Sequence, residues 1–452
     1  MPFFKVIENT GAPLEIQQSL DVSWKEGIAA QVMLTMLDYY VIPLALLLDA
    51  TPHQIGLLVA IPHIIGAVAQ LIAARLVALI GSRLRFLLRA TITQAIIVIP
   101  IACLALVRLR LSIGWLIVFI VIYRTIGNLI GTVWGSLASD YLPAEQRGKY
   151  FGWRTQITGV AGIVSLIFGG LWLNGLKHTA THFSFFLLFL IAAAARLVSA
   201  KLMSKMADLP LEHKPEANFG FFRFIARYRE SNFVKFVFYV SAILFGANLA
   251  APFFSVYMLR DLHFNYLAYT VIQMAPVITG ILSYPLWGQH ADMVGNAKVL
   301  KTTGLLVPLI PLFWTFSHYL PYLIVIELFS GFIWGGFNFC AVNFIYDAVS
   351  PEKRVRCLGY FSLISSIALF TGAWLGGILA ENLPAINGSP ILMLFLISFL
   401  VRALAHYFLS NRFQEVRKET RDISSFDLFF SVVGLKPAGS NGIEQNTAGE
   451  AE

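Results

Sequence analysis

The side chains most able to do chemistry are Asp38, Arg124 and Glu327, because each lies inside a long apolar stretch of the chain. An ionised group in an apolar stretch of membrane-spanning length needs a partner, a water-filled cavity or a function. An intramembrane enzyme would need a nucleophile beside a base, or metal ligands at one depth, and these residues supply neither. They indicate the movement of protons or solutes rather than bond-making chemistry.

Asp38 and Arg124 are predicted to lie at a similar depth. Asp38 stands about 12 residues into its stretch, roughly 18 Å along a helix, and Arg124 about 11 residues into one that runs the opposite way. Protonation of Asp38 could release Arg124 to hold an anionic group or to rearrange the helices. A static ion pair that only fastens two helices is the alternative, although apolar residues could do that without burying charge. We expect the functional pair.

The other candidates for substrate or proton coupling lie in later stretches. Glu327 is either a protonatable carboxylate or a side chain that reaches the outer interface, and the sequence favours neither. Asn248, Trp334 and Asn338 stand among small and aromatic residues, a composition that suits a cavity for a partly apolar organic solute. His63 is predicted to be a hydrogen-bonded packing residue rather than a ligand.

The composition indicates the elements that must position these residues. Charged residues make up 13% and hydrophobic residues 57% of the 452-residue chain, and the mean hydropathy is +0.71. A soluble chain this apolar could not cover its surface with polar groups. The fold class is therefore an all-α membrane protein, with twelve predicted transmembrane helices at 26–48, 54–80, 86–107, 113–140, 151–174, 182–204, 233–259, 265–289, 299–317, 320–348, 356–380 and 390–410.

Several other classes are disfavoured by the residues present. Three separated cysteines do not make a disulfide scaffold, and the net charge of +8 is spread between apolar segments rather than gathered in a nucleic-acid-binding patch. We find no phosphate-binding loop for ATP and no metal-ligand spacing. No catalytic residue, metal or cofactor is expected, and the expected partners are a small-molecule substrate and the lipid bilayer.

Lysines and arginines between the helices predict the orientation. Most stand in the loops after the second, fourth, eighth and tenth helices, whereas Arg108, Arg110 and Lys177 are among the few on the opposite face. Both termini are therefore expected in the cytoplasm of a bacterial-type cell. The segments predicted outside the bundle are 1–25, which has no cleavable signal, the central loop 205–232 with an interfacial helix from Phe219 to Ser231, and a largely disordered tail at 413–452.

The two halves, 26–204 and 233–412, share a repeated pattern. Asp140, Arg147 and Gly152 recur with one constant offset as Asp347, Arg354 and Gly359. Matched opposite charges at helix ends are predicted to form a cytoplasmic gate, pairing across the halves in one state and separating in the other. Anchoring by positive charge would explain Arg147 and Arg354 but not the aspartates.

A second pattern follows the eighth helix, where Gly288, Asp292, Gly295 and Lys298 stand in the order Gly-x-x-x-Asp-x-x-Gly-x-x-Lys. This resembles the cytoplasmic loop motif of the major facilitator superfamily of secondary transporters, and the resemblance covers about residues 24–412. In the first half the equivalent segment keeps Gly81, Arg83 and Arg85 but has Ala78 at the aspartate position. The Gly-Pro pattern of antiporters is missing from the fifth helix, which favours symport over drug-efflux antiport.

The resemblance implies a monomeric, two-half transporter in the plasma membrane, the inner membrane of a bacterium. We expect it to move a small organic solute by alternating access, driven by a proton gradient, with 1–204 rocking against 233–412. The alternative is a transporter-like receptor that binds its ligand without turnover.

Overall fold

The computed structural model describes residues 13–107, 111–176, 180–210, 221–417 and 423–434. Within these residues the chain is helical, without strands beyond one isolated bridge between Ile386 and Ser389. The helices are α1 (Leu14–Leu47), α2 (Pro52–Ile80), α3 (Arg83–Leu104), α4 (Ser112–Asp140), α5 (Ala144–Gly175), α6 (Thr181–Met203), α7 (Phe221–Ala226), α8 (Asn232–Val256), α9 (Tyr266–Val294), α10 (Asn296–Leu306), α11 (Leu309–Phe313), α12 (Leu320–Ala348), α13 (Pro351–Asn382), α14 (Pro390–Leu409) and α15 (Ser425–Val432).

The fold class is confirmed as an all-α membrane protein. Among the described residues, eleven helices are long and apolar enough to cross a membrane. The predicted ninth span at 299–317 is instead the pair α10 and α11, which breaks at Val307 and Pro308. Pro311 has no backbone N–H to bond the Val307 carbonyl, so the helix cannot continue regularly there. With this broken pair the fold is consistent with twelve crossings.

The turn between α2 and α3 shows how the sequence sets helix ends. Gly81 ends α2 with φ of 74°, a left-handed conformation that favours glycine. Ser82 then begins α3, and its hydroxyl accepts a hydrogen bond from the Arg85 backbone N–H. This places Arg83 and Arg85 in the first turn of α3, at the end predicted to be cytoplasmic.

Spatial proximity divides the chain into two compact units. Among the described residues, the first takes in those of Met1–Lys214, Asn248–Met274 and Leu369–Leu394. The second takes in those of Pro215–Ala247, Ala275–Ala368 and Phe395–Glu452. The first unit thus contains α1 to α6 and also the parts of α8, α9, α13 and α14 that the sequence predicts to be extracellular.

Hydrogen bonds in the first unit join α1 to the start of α9. The Tyr40 hydroxyl donates to the Leu166 carbonyl at 2.6 Å and lies 3.0 Å from Thr270 Oγ1. The Tyr269 hydroxyl donates to the Tyr39 carbonyl at 2.7 Å. We call Tyr39, Tyr40, Tyr269 and Thr270 the outer seal, because they lie at the end of the bundle predicted to be extracellular.

The second unit is built around stacked aromatic rings, and the start of the predicted tail belongs to it. Phe413 is fully buried, with its ring centroid 5.6 Å from that of Phe344 and 5.1 Å from that of Tyr239. Helix α15 buries Leu428 and Val432 in the same core. The prediction of a largely disordered tail from residue 413 is therefore wrong for 413–417 and 423–434, because these apolar side chains find a packed surface.

Between the halves the structure has the short helix α7, followed by a 3-10 turn at Arg227–Arg229, and the location of this segment at the membrane interface stays a prediction. Phe224 packs against Phe233 and Tyr360 with centroid distances of 6.0 and 5.1 Å. Some predictions lie outside the described residues: those for Arg108, Arg110 and Lys177 in the orientation argument, and that for the end of the tail from Pro437 to Glu452.

We predict that Gly56→Ala lowers the melting temperature of the purified protein. A Cβ at Gly56 would lie 2.6 Å from the Ala373 carbonyl oxygen and 2.9 Å from the Gly377 Cα, so α2 and α13 would have to separate. Such overpacking costs about 1–3 kcal/mol. The matched control is Gly114→Ala, because a Cβ at Gly114 meets nothing within 4 Å, and removing a helical glycine there should raise stability by about 0.5–1 kcal/mol. Equal shifts for both variants would contradict the close approach of α2 and α13.

Candidate functional site

The predicted pair of Asp38 and Arg124 is present in the first unit. Arg124 Nη2 lies 3.0 Å from Asp38 Oδ1, and the two side chains are 42% and 33% exposed. Asp38 Oδ1 is shielded and accepts no hydrogen bond with good geometry among the described residues. The closest contact of this carboxylate oxygen is therefore the charge contact with Arg124.

Of two other polar residues considered in the sequence, His63 lies near this pair and Asn248 does not. His63 in α2 lies within electrostatic range of Arg124 and is half-buried. Asn248 does not join the pair, because its Nδ2 donates to the Leu369 carbonyl at 2.7 Å and only 7% of the residue is exposed. Asn248 therefore joins α8 to α13 in this structure.

In the second unit, Glu327 lies in a buried polar contact. Its Oε1 accepts a hydrogen bond of 2.9 Å from Trp314 Nε1, and the residue is 9% exposed. Glu327 thus does not extend to a surface. Arg402 lies within its electrostatic range and donates to the Val307 and Ala247 carbonyls at 3.2 Å each. The first of these bonds satisfies the carbonyl left open by the break between α10 and α11.

Trp334 and Asn338, the other predicted cavity residues, stand one turn apart on α12. The ring of Trp334 packs edge-on against Phe337 with a centroid distance of 5.5 Å. Asn338 is exposed. One of the two predicted residues thus contributes to packing, while Asn338 presents a polar amide at a surface of the second unit.

The predicted gate residues of the first half bond within their own unit. Asp140 Oδ2 accepts a hydrogen bond of 2.7 Å from Arg83 Nη1, while Arg147 Nε donates to the Leu142 carbonyl. Arg83 is 2% exposed and also donates to the Leu209 carbonyl. In this structure Asp140 is thus paired with Arg83, which reaches it from the start of the adjacent α3, and pairing of Asp140 and Arg147 across the halves stays a prediction.

The second half repeats this arrangement with a different cation. Asp347 Oδ2 accepts hydrogen bonds from Arg417 Nε at 2.9 Å and from Asn296 Nδ2 at 2.7 Å. Arg417 also donates to Asp292 at 3.2 Å, whereas Arg354 donates to backbone carbonyls. Asp347 is thus paired with Arg417 from the segment after α14, and its predicted pairing across the halves stays a prediction.

The loop-motif residues around Asp292 shape the turn between α9 and α10. Gly295 has φ of 87° and stands where a side chain would collide with Glu415. Glu415 Oε2 accepts a hydrogen bond of 2.7 Å from the Ala297 backbone N–H, at the start of α10. A Cβ at Gly288 would lie 3.4 Å from the ring of Phe339, and Lys298 lines a surface cavity beside Glu415.

An acidic residue performs the same role in both halves, and sequence reasoning missed it. Asp208 accepts hydrogen bonds from Ser82 Oγ and from the Leu84 backbone N–H at the start of α3, as Glu415 does at the start of α10. The offset that relates Asp140 to Asp347 also relates Asp208 to Glu415. A carboxylate at a helix start is favourable because the backbone N–H groups there lack partners.

A buried charge cluster in the first unit was also missed. Glu26 is 2% exposed, and its carboxylate accepts from Arg154 Nη2 at 3.2 Å and from Ser199 Oγ at 2.8 Å. Arg196 Nη1 lies 3.8 Å from the same carboxylate, and Arg196 Nε donates to Gln94 Oε1 at 2.9 Å. Arg154, in the first half of α5, stacks over the ring of Trp134 at 4.0 Å. Within the described residues no group of His, Cys, Asp and Glu could hold a metal ion.

Comparison with known sequences relates these features to one family. A model of the Major Facilitator Superfamily matches residues 28–247 and 236–438. The multi-drug resistance efflux pump PmrA of Streptococcus pneumoniae is 31% identical over 157 residues. That alignment covers 34% of this chain and 38% of the pump, so the chain matches well under half the length of this curated relative.

Comparison with solved structures shows the same fold over most of the chain. The nucleoside transporter NupG is 14% identical with a TM-score of 0.66, over 88% of this chain and 99% of that chain. A bacterial homologue of the human lysosomal transporter Spinster is 16% identical with a TM-score of 0.64, over 89% and 98% of the two chains. Since the family model also matches most of the sequence, the chain belongs to the Major Facilitator Superfamily of secondary transporters.

Proposed function

We propose that the chain transports a small organic solute by alternating access and couples this movement to protons. The observation that carries the proposal is the ion pair of Asp38 and Arg124. Both side chains are partly exposed although they stand within membrane-spanning helices. Charge facing lipid is costly, so we infer that the exposed face meets water in a transport cavity.

The proposed coupling step begins with a proton on Asp38. Protonation removes the negative charge that holds Arg124 at 3.0 Å, and the guanidinium is then free to turn toward the solute or away from α1. When Asp38 loses its proton, the pair forms again. Because the pair joins α1 to α4, its making and breaking would change the packing of these two helices.

The outer seal supplies a second element that alternating access requires. Hydrogen bonds of Tyr40 with Thr270 and of Tyr269 with the Tyr39 carbonyl join α1 to α9. Such bonds can be exchanged for bonds to water when the helices part. We infer that this seal closes the extracellular end and must open once per cycle.

The relatives bear on the solute and on the direction of movement. PmrA is described as an efflux pump and NupG as a nucleoside transporter, and both descriptions involve organic solutes. The missing Gly-Pro pattern in the fifth helix favours symport. We propose the plasma membrane as the location, with both termini cytoplasmic. A thermal-shift screen of sugars, carboxylates, peptides and hydrophobic drugs would identify the solute.

Counterflow in proteoliposomes tests the proposed function. Liposomes loaded with unlabelled solute should accumulate labelled solute through the protein, because exchange needs no net driving force. A receptor that binds without turnover would bind the labelled solute and exchange none, and that result would overturn the transporter proposal.

We predict that Asp38→Asn abolishes the pH dependence of transport and leaves the melting temperature close to that of the wild type. Asparagine keeps the size of the side chain but cannot exchange a proton. The matched control is Asp49→Asn at the exposed end of the same helix, where φ is 59° and asparagine is tolerated. Transport into proteoliposomes at acidic and alkaline pH measures both variants. Unchanged proton coupling in Asp38→Asn would remove Asp38 from the mechanism.

We predict that Arg417→Ala lowers the melting temperature by several degrees, because Asp292 and Asp347 lose their shared cation. A change of 1 kcal/mol shifts the melting temperature of a large domain by about 2–4 °C. Arg417→Lys should recover part of the loss, since lysine keeps the charge but not the two-sided geometry. Arg412→Ala is the control, because Arg412 is exposed and donates to the Phe408 carbonyl one turn before it. A loss as large in Arg412→Ala would refute this assignment.

A further inference from the structure

A cavity in the first unit lies beside the buried charge cluster of Glu26, Arg154 and Arg196. The proposed coupling pair and the outer seal do not use it. Its volume is about 170 Å³, and it lies among α1, α3, α4, α5 and α6. This is several times the liquid volume of one water, about 30 Å³. Charged, aromatic and small residues line it together, among them Glu26, Gly131, Trp134, Arg154 and Arg196. We call this space the arginine pocket.

The charges around the arginine pocket do not balance. Two guanidinium groups, those of Arg154 and Arg196, share the single carboxylate of Glu26. A cluster that only fastened helices would pair its charges one to one, because an uncompensated charge in a low-dielectric interior is strongly unfavourable. The excess positive charge therefore indicates an anion or well-held water in the cavity.

The two arginines are held in fixed orientations with donors to spare. Arg196 is anchored by its bonds to Gln94 and Ser199, and Arg154 by its bond to the Ser23 carbonyl and by the Trp134 ring. Arg154 Nη1 and Arg196 Nη2 make no hydrogen bond within the part of the chain that the structure describes. Guanidinium donors fixed in this way suit the paired oxygens of a carboxylate or phosphate.

The arginine pocket also shares a helix face with the proposed coupling pair. Gly131 stands seven residues after Arg124 on α4, nearly two full turns, so both residues lie on the same side of that helix about 10 Å apart. Leu34 and Ile130 add apolar walls. An anion in the pocket would therefore lie along the α4 face on which Arg124 is released.

We propose that the arginine pocket binds the anionic group of the transported solute, and that the solutes are small organic anions with an apolar body. This proposal rests on the proposed transport function and names its substrate class. The carboxylate or phosphate lies between Arg154 and Arg196. The apolar body lies toward Leu34 and Ile130, in the space left by Gly131.

The test uses the full chain in nanodiscs of phosphatidylcholine, a lipid without net charge. The probes are benzoate, phenylphosphate and straight-chain carboxylates of two to eight carbons, each acid beside its amide and its amine. Thermal shift gives an apparent affinity for each. We expect at least one anion to bind about tenfold or more tightly than its neutral and cationic counterparts.

Two variants locate that binding. Arg154→Gln should weaken it by about tenfold or more. Gly131→Leu should abolish it by filling the cavity without adding charge, because a Cβ at Gly131 meets nothing within 4 Å. Gly135→Leu is the matched control one turn further along α4. A Cβ at Gly135 also meets nothing within 4 Å, but Gly135 does not line the arginine pocket. Wild-type melting temperatures of the empty variants show that they fold.

The proposal is overturned if no anion exceeds its neutral counterpart, if the preference survives Gly131→Leu, or if only added anionic lipid stabilises the protein. Counterflow measurements distinguish failure of the anion-binding proposal from failure of the proposed transport function. Exchange of neutral or cationic solutes alone would refute the anionic class and leave transport standing. Pocket-dependent anion binding without exchange of any probe would leave the site standing and refute turnover.

Discussion

Holding ionised side chains inside a membrane-spanning bundle is the constraint on which this structure depends. The described charges that lie deep in the helices meet it in different ways. Asp38 and Arg124 neutralise each other at 3.0 Å, and Arg402 donates to the carbonyls of Val307 and Ala247. Glu26 alone is shared by two arginines. We propose that complete, shielded pairing fastens helices, and that incomplete or exposed pairing lets the bundle respond to a proton or an anion.

The ends of the helices show the duplicated origin of the two halves more clearly than their apolar middles. Asp140 and Asp347 accept hydrogen bonds from arginine side chains at equivalent positions. Asp208 and Glu415 accept them from backbone N–H groups at the starts of α3 and α10. The cation differs, because Arg83 comes from α3 whereas Arg417 comes from the segment after α14. Arg417 thereby joins the chain beyond α14 to the loop motif around Asp292. Movement of that loop would therefore displace the segment that carries Arg417.

The sequence predicts the spans and the depth of Asp38 and Arg124 because both follow from apolar length and a fixed rise per residue. It does not predict the arginine pocket, because Glu26 and Arg154 stand at the edges of their apolar stretches. Whether a charge at such an edge turns inward depends on helix rotation, which hydropathy does not record. The partner of Asp347 was missed for a related reason, since the segment that carries Arg417 is too polar to be recognised as packed structure.

A double-mutant cycle on Asp38 and Arg124 tests the central claim that this pair is a switch rather than a fastener. Solute counterflow and melting temperature would be measured at acidic and alkaline pH for three variants. These are Asp38→Asn, Arg124→Gln and the double variant that carries both substitutions. A switch predicts that exchange loses its pH dependence in all variants that lack Asp38 and that restoring neutrality in the double variant does not return it. Recovery of pH-dependent exchange in the double variant, together with recovered stability, would contradict the account.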